Sequence, residues 1–190
     1  MNISTRTMMF ATVFLTVIFI FSCERREVIE PIAHEAFFQN LRDLCGQKFE
    51  GRTEYTLLDP HPLADARLIM HIETCTENEI RIPFIVNDDS SRTWVLTLHD
   101  DGLLFQHDHR HPDGTPEDTT MYGGWADDEG TAHVQYFPAD DYTAELIPEA
   151  ATNVWKLEIN PETNEFIYYL ERDEEERIRA VFDLTEPLPE

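Results

Sequence analysis

From Phe49 onward, apolar and polar residues alternate with a period of two over most of the chain. That is the pattern of strands with one dry and one wet face. The alternation predicts strands over 49–57, 67–76, 79–86, 93–99, 103–111, 119–123, 131–137, 153–159, 165–171 and 177–184. Pro- and Asp-rich turns separate them at the spacing expected of an all-β domain. Pro83, inside the third of these, suggests a sheet edge or a bulge. Ala33 to Cys45 has helical spacing instead. Phe37, Leu41 and Leu44 share a face with Phe38 beside them, and Gly46 follows as a stop. A short helical turn is expected within 139–146. The fold class is therefore mainly β: an antiparallel meander of about 8–10 strands, closing into a barrel, with one N-terminal helix at an end. A two-sheet sandwich is the alternative, although the Cys-Trp-Cys spacing of an immunoglobulin domain is missing.

The first 32 residues differ in kind. Met8 to Phe21 is an apolar run behind Arg6, too short for a comfortable membrane span and of the length of a signal-peptide core. It ends in Ile20-Phe21-Ser22-Cys23, which resembles a bacterial lipobox. That resemblance implies cleavage before Cys23, lipid attachment to Cys23, and a cell-envelope location facing the periplasm or the exterior. Residues 1–22 are then a lipoprotein signal peptide, 23–32 a charged tether and 33–190 a single domain. The membrane is an expected partner through the anchor.

Charge narrows the partners further. The 190 residues carry 38 acids against 14 Lys and Arg, for a formal net charge of −24. Loss of residues 1–22 would remove one arginine and no acid, giving about −25. Such a surface repels nucleic acid, so nucleic-acid binding is excluded. Beyond Cys23, two cysteines remain, Cys45 and Cys75. In an oxidising compartment they are expected to form a disulfide.

In outline, the helix and the strand meander look like the calycin group, the lipocalins and fatty-acid-binding proteins. The Gly-x-Trp signature of their first strand is absent. The segments Arg92–Thr97, His107–His111 and Met121–Gly124 resemble those of uncharacterised exported bacterial proteins, a resemblance that carries no activity.

No nucleophile elbow, HExxH, P-loop or dinucleotide fingerprint occurs. The one unusual cluster is His107-Asp108-His109-Arg110-His111. Alternate residues of a strand share a face, so the imidazoles would line one side and Asp108 and Arg110 the other. A two-residue Asp101-Gly102 turn would pair Leu98 with Phe105, Leu96 with His107 and Trp94 with His109, turning the histidines inward. His107, His109 and His111 could then hold zinc or copper. Otherwise they line a ligand site or satisfy one another. His34, His61, His71, His99 and His133 read as structural or surface residues. Three functions follow as expectations. The first is a non-enzymatic, lipid-anchored binding module, with Trp94, His107, His109 and Tyr122 around a small, partly apolar ligand and no cofactor. The second is a metal-binding periplasmic protein using the His strand. The third is an envelope interaction protein without a cavity.

Overall fold

The computed structural model describes residues 32–58 and 61–189. The apolar run, Cys23 and the tether as far as Pro31 lie outside the described residues. Eleven antiparallel strands form one sheet: β1 (Lys48–Thr56), β2 (Leu68–His71), β3 (Thr74–Cys75), β4 (Glu79–Val86), β5 (Asp89–His99), β6 (Gly102–His109), β7 (Tyr122–Trp125), β8 (Val134–Pro138), β9 (Asn153–Asn160), β10 (Glu165–Arg172) and β11 (Glu175–Asp183). The order is β7-β6-β5-β4-β2-β1-β11-β10-β9-β8, with β3 continuing the β2 side of β4. The first strand pairs with the last, and the sheet curls into a nearly closed barrel whose seam lies between β7 and β8.

Alternation drives this closure. Ile80, Ile82, Phe84 and Val86 of β4, and Asn153, Trp155, Leu157 and Ile159 of β9, are buried while their neighbours are partly exposed. Every second side chain thus leaves water for a lumen packed with Phe49, Phe105, Phe137, Phe166 and Phe182. The single strand expected over 67–76 is broken into β2 and β3. One extra residue enters between the Met70–Phe84 and Thr74–Arg81 pairs, opposite Pro83. This is a bulge, and Pro83, which has no N–H to donate, lies opposite it.

The helix α1 (Ala33–Arg42) buries Phe37, Phe38 and Leu41. It packs on β5, β6 and β8. Its first residues border a hollow shared with the Asp100–Gly102 turn, and Asn40 donates to the Ala132 carbonyl. The helix therefore caps the end of the barrel where β5 turns into β6. Gly46 (φ 83°) follows it, and its N–H is accepted by the Ile72 carbonyl at 2.7 Å. Cys45 and Cys75 are disulfide-bonded, with Cα atoms 6.2 Å apart, tying this cap to β3.

At the seam, the Asp140 N–H meets the Gly123 carbonyl at 3.0 Å, and the Asp127 N–H meets the Tyr136 carbonyl at 3.0 Å. A second, short helix, α2 (Asp141–Leu146), is capped by the Asp140 side chain. Its buried Thr143 hydroxyl accepts from the Gly123 N–H at 2.7 Å and donates to the Gly123 carbonyl at 2.8 Å. The Thr143 side chain thus satisfies the Gly123 N–H at the strand edge and shares the Gly123 carbonyl with the Asp140 N–H.

Candidate functional site

The β5–β6 hairpin carries the site, in a register that differs from the expected one. The turn is Asp100–Asp101, with His99 opposite Gly102, so Leu98 pairs with Leu103, Leu96 with Phe105, Trp94 with His107 and Arg92 with His109. Neither aspartate has positive φ, and Gly102 stands at 154°. The type I′ geometry expected at Asp-Gly is not used, and the register moves by two residues. A two-residue shift preserves parity, so His107 and His109 still face inward. The strand ends at His109, and His111 is exposed in the following loop.

Asp108 corrects the outward expectation in another way. It points away from the lumen yet is 1% exposed. Arg110 donates to it at 2.7 and 3.0 Å, Thr120 at 3.3 Å, and Arg81 also donates. Burial pushes its carboxyl up. The Arg110 and Arg81 hydrogen bonds outweigh burial and hold it below the usual carboxylate range. This cluster fastens the 110–121 segment to the barrel wall.

On the inner face, His107 is 5% exposed. Its Nδ1 lies 3.2 Å from the Tyr122 carbonyl and its Nε2 3.1 Å from Tyr168 Oη. A carbonyl only accepts, so Nδ1 carries the proton and Nε2 accepts from the tyrosine hydroxyl. Burial pushes the His107 pKa down to about 3, with a smaller repulsion from His109, so the ring is neutral at neutral pH. Burial likewise raises Tyr122 to about 12 and puts Tyr168 well above its ordinary value. The Tyr122 ring stacks on His107 at 4.6 Å, and its hydroxyl lies 3.2 Å from His109 Nε2. Trp94 is sandwiched between Phe84 (4.5 Å) and Tyr168 (4.7 Å).

These residues wall a cleft of about 210 Å³ that opens at the end of the barrel opposite α1. Trp94, His107, His109 and Tyr122, the four residues grouped as candidate ligand contacts from the sequence, all line it. Tyr168, Phe84, Arg92, His61, Leu63 and Ile178 also line it and were not foreseen as site residues. Parity held the signal for four of them: Phe84 alternates with Ile80 and Ile82, and Ile178 with Ala180 and Phe182. Arg92 is two residues before Trp94, and Tyr168 is two after Phe166, so each shares the inner face. His61 comes from a loop without periodicity and carried no signal. It lines the cleft and also a second lobe of about 170 Å³, which shares His61 and Ile178 with the first and adds Arg172 and Arg177.

The three histidines do not converge. Among the described residues no group of three His, Cys, Asp or Glu side chains is arranged to hold a metal. Both His107 nitrogens are engaged by Tyr122 and Tyr168. Nor are His107, Tyr122 and Tyr168 tuned for proton transfer near neutral pH. His107 is too weak a base, and Tyr122 and Tyr168 are too weak as acids. What the arrangement offers is an apolar, aromatic wall with fixed neutral hydrogen-bonding groups at the back and an arginine at the mouth. Comparison with protein-family models, curated proteins and solved structures returns no match, so the calycin likeness extends no further than a nearly closed antiparallel barrel.

Proposed function

We propose that the protein is a lipid-anchored, non-enzymatic binding module of the bacterial cell envelope, holding a small, partly apolar molecule in the cleft beside His107 and His109. The observation that carries this reading is the cleft itself. It is concave and mostly apolar, and polar groups converge on one wall, the usual composition of a ligand pocket. At about 210 Å³ it lies below the range for drug-sized ligands, so the occupant is a small metabolite or the end of a larger molecule. The lumen beneath is filled by large side chains, which confines the ligand to the open end.

Two measurements test this. Calorimetric titration with indole and with p-cresol should show binding to the wild-type protein and none to Leu63→Trp, which fills the cleft. Equal binding by the filled variant would sink the site. Mass spectrometry of the protein from a membrane fraction should find the lipid on Cys23, and Cys23→Ser should leave an unprocessed chain. An unmodified Cys23 there would sink the anchor.

A further inference from the structure

The charges around the cleft run against those of the whole chain. One residue in five is acidic, 38 of 190. Other hollows of the surface carry carboxylates, such as Asp100, Asp101 and Asp128 beside α1, or Asp88 and Asp89 beside the 110–114 loop. Among the described residues, neither lobe of the open-end cleft has a carboxylate in its lining. Instead they carry Arg92 in the first and Arg172 and Arg177 in the second. A barrel lumen tends to exclude carboxylates because burial penalises charge, but the same penalty applies to guanidinium. Two of the three arginines meet carboxylates outside the lining, Arg92 with Asp89 and Arg177 with Glu175 at 3.2 Å, while among the described residues the lining itself presents guanidinium and no carboxylate.

We infer that the ligand is a small organic carboxylate, its apolar body against Leu63, Phe84 and Tyr122 and its carboxylate met by the Arg92 guanidinium at the mouth. This rests on the reading of the cleft as a binding site and names the class of molecule it takes. Arg92 spans the geometry required. It sits opposite His109 at the outer end of the hairpin, on the inner face, with its side chain about one-third exposed. Among the described residues its guanidinium meets one carboxylate, Asp89, through Nη1. Nε and Nη2 are left to form the two-pronged pair that guanidinium makes with carboxylates. Asp89 and Glu117 stand at the rim. Asp89 orients Arg92, and Glu117 lies 3.9 Å from His109 Nδ1. At the far lobe, Arg177 pairs with Glu175 through Nη2 at 3.2 Å, and its buried Nε has no hydrogen-bond acceptor among the described residues. Behind these cations the neutral His107 and Tyr168 offer no competing negative charge.

The test pairs each acid with its uncharged isostere. Phenylacetate and hexanoate are titrated against phenylacetamide and hexanamide by calorimetry on the purified protein, at low and at 0.5 M salt. The acids should bind at least tenfold tighter than the amides at low salt, and the preference should shrink at high salt through screening. In Arg92→Gln, with circular dichroism confirming the fold, the preference of acid over amide should fall to near unity. Equal binding of acid and amide by the wild-type protein overturns the inference and leaves the binding site standing. A preference that survives Arg92→Gln but disappears in Arg177→Gln overturns the assignment to Arg92. No binding by any of the four probes overturns this inference, and the site on which it rests falls with it only where indole and p-cresol also fail to bind.

Discussion

His107 is a histidine held in its neutral form by burial, with both ring nitrogens used. Its depressed pKa makes a signed statement about stability. The unfolded chain binds a proton near pH 6.5 and the folded chain only near pH 3, so the unfolded state holds more protons between those values. Stability therefore rises with pH across that window and is lost on acidification. For this group alone the loss from pH 7 to pH 4 amounts to about 3 kcal/mol. Urea unfolding of wild type and His107→Phe at both pH values should show the variant losing less by roughly that amount. Identical pH dependence would mean that His107 is not buried as described. The sequence showed the imidazoles on the inner face because strand parity survives an error in register. It did not show that Asp108, on the outer face, would be buried. That follows from Arg81, 27 residues away and on another strand. Pairs of this kind depend on topology and leave no local pattern.

The elements were legible wherever alternation was strict, and least so at turns. Asp101-Gly102 is the strongest short hairpin signal in the chain, yet the turn falls one residue earlier. The pair that does adopt positive φ at both residues is Asp173–Glu174, between β10 and β11, a sequence with no glycine. Turn chemistry is a weak prior that strand register overrides. The seam between β7 and β8 was invisible in the sequence, because its closure depends on backbones that nearly touch. A Cβ on Gly124 would fall 1.8 Å from the Pro138 carbonyl oxygen, and one on Gly123 would fall 1.9 Å from that of Phe105. Both atoms are backbone and have little room to yield. Gly124→Ala should cost about 3 kcal/mol or more, at the upper end of overpacking effects. Thr143→Val keeps the shape but strands the Gly123 N–H, for about 1–3 kcal/mol. Denaturant midpoints decide both, and a silent Gly124→Ala would contradict the close approach. At the other end, the Cys45–Cys75 bond closes a loop over 30 positions. Its loss in Cys45→Ser should lower stability by about 3–4 kcal/mol on the chain-entropy model. Unfolding that is unchanged by reduction would argue against the bond.

At the scale of the whole molecule, one end of the barrel is sealed and the other is open. The helix, the disulfide and the aromatic lumen close the lower end, leaving the cleft between β5, β6 and β10 as the place where chemistry meets solvent. The meander, its closure through β1 and β11, and the capping helix all follow from patterned burial. That is why they could be expected from sequence. The position of His61 and the second lobe could not, since both depend on a loop without hydrophobic periodicity. The central claim is that the open end is the ligand site. It is tested most directly by a two-dimensional NMR titration of the isotope-labelled protein with indole. The account predicts the largest shift changes at the Trp94 indole N–H and at the amides of His107, His109, Tyr122 and Tyr168. Trp125, at the capped end, should be unmoved. Changes centred on Trp125 and His99 instead, or scattered evenly over the barrel, would contradict it.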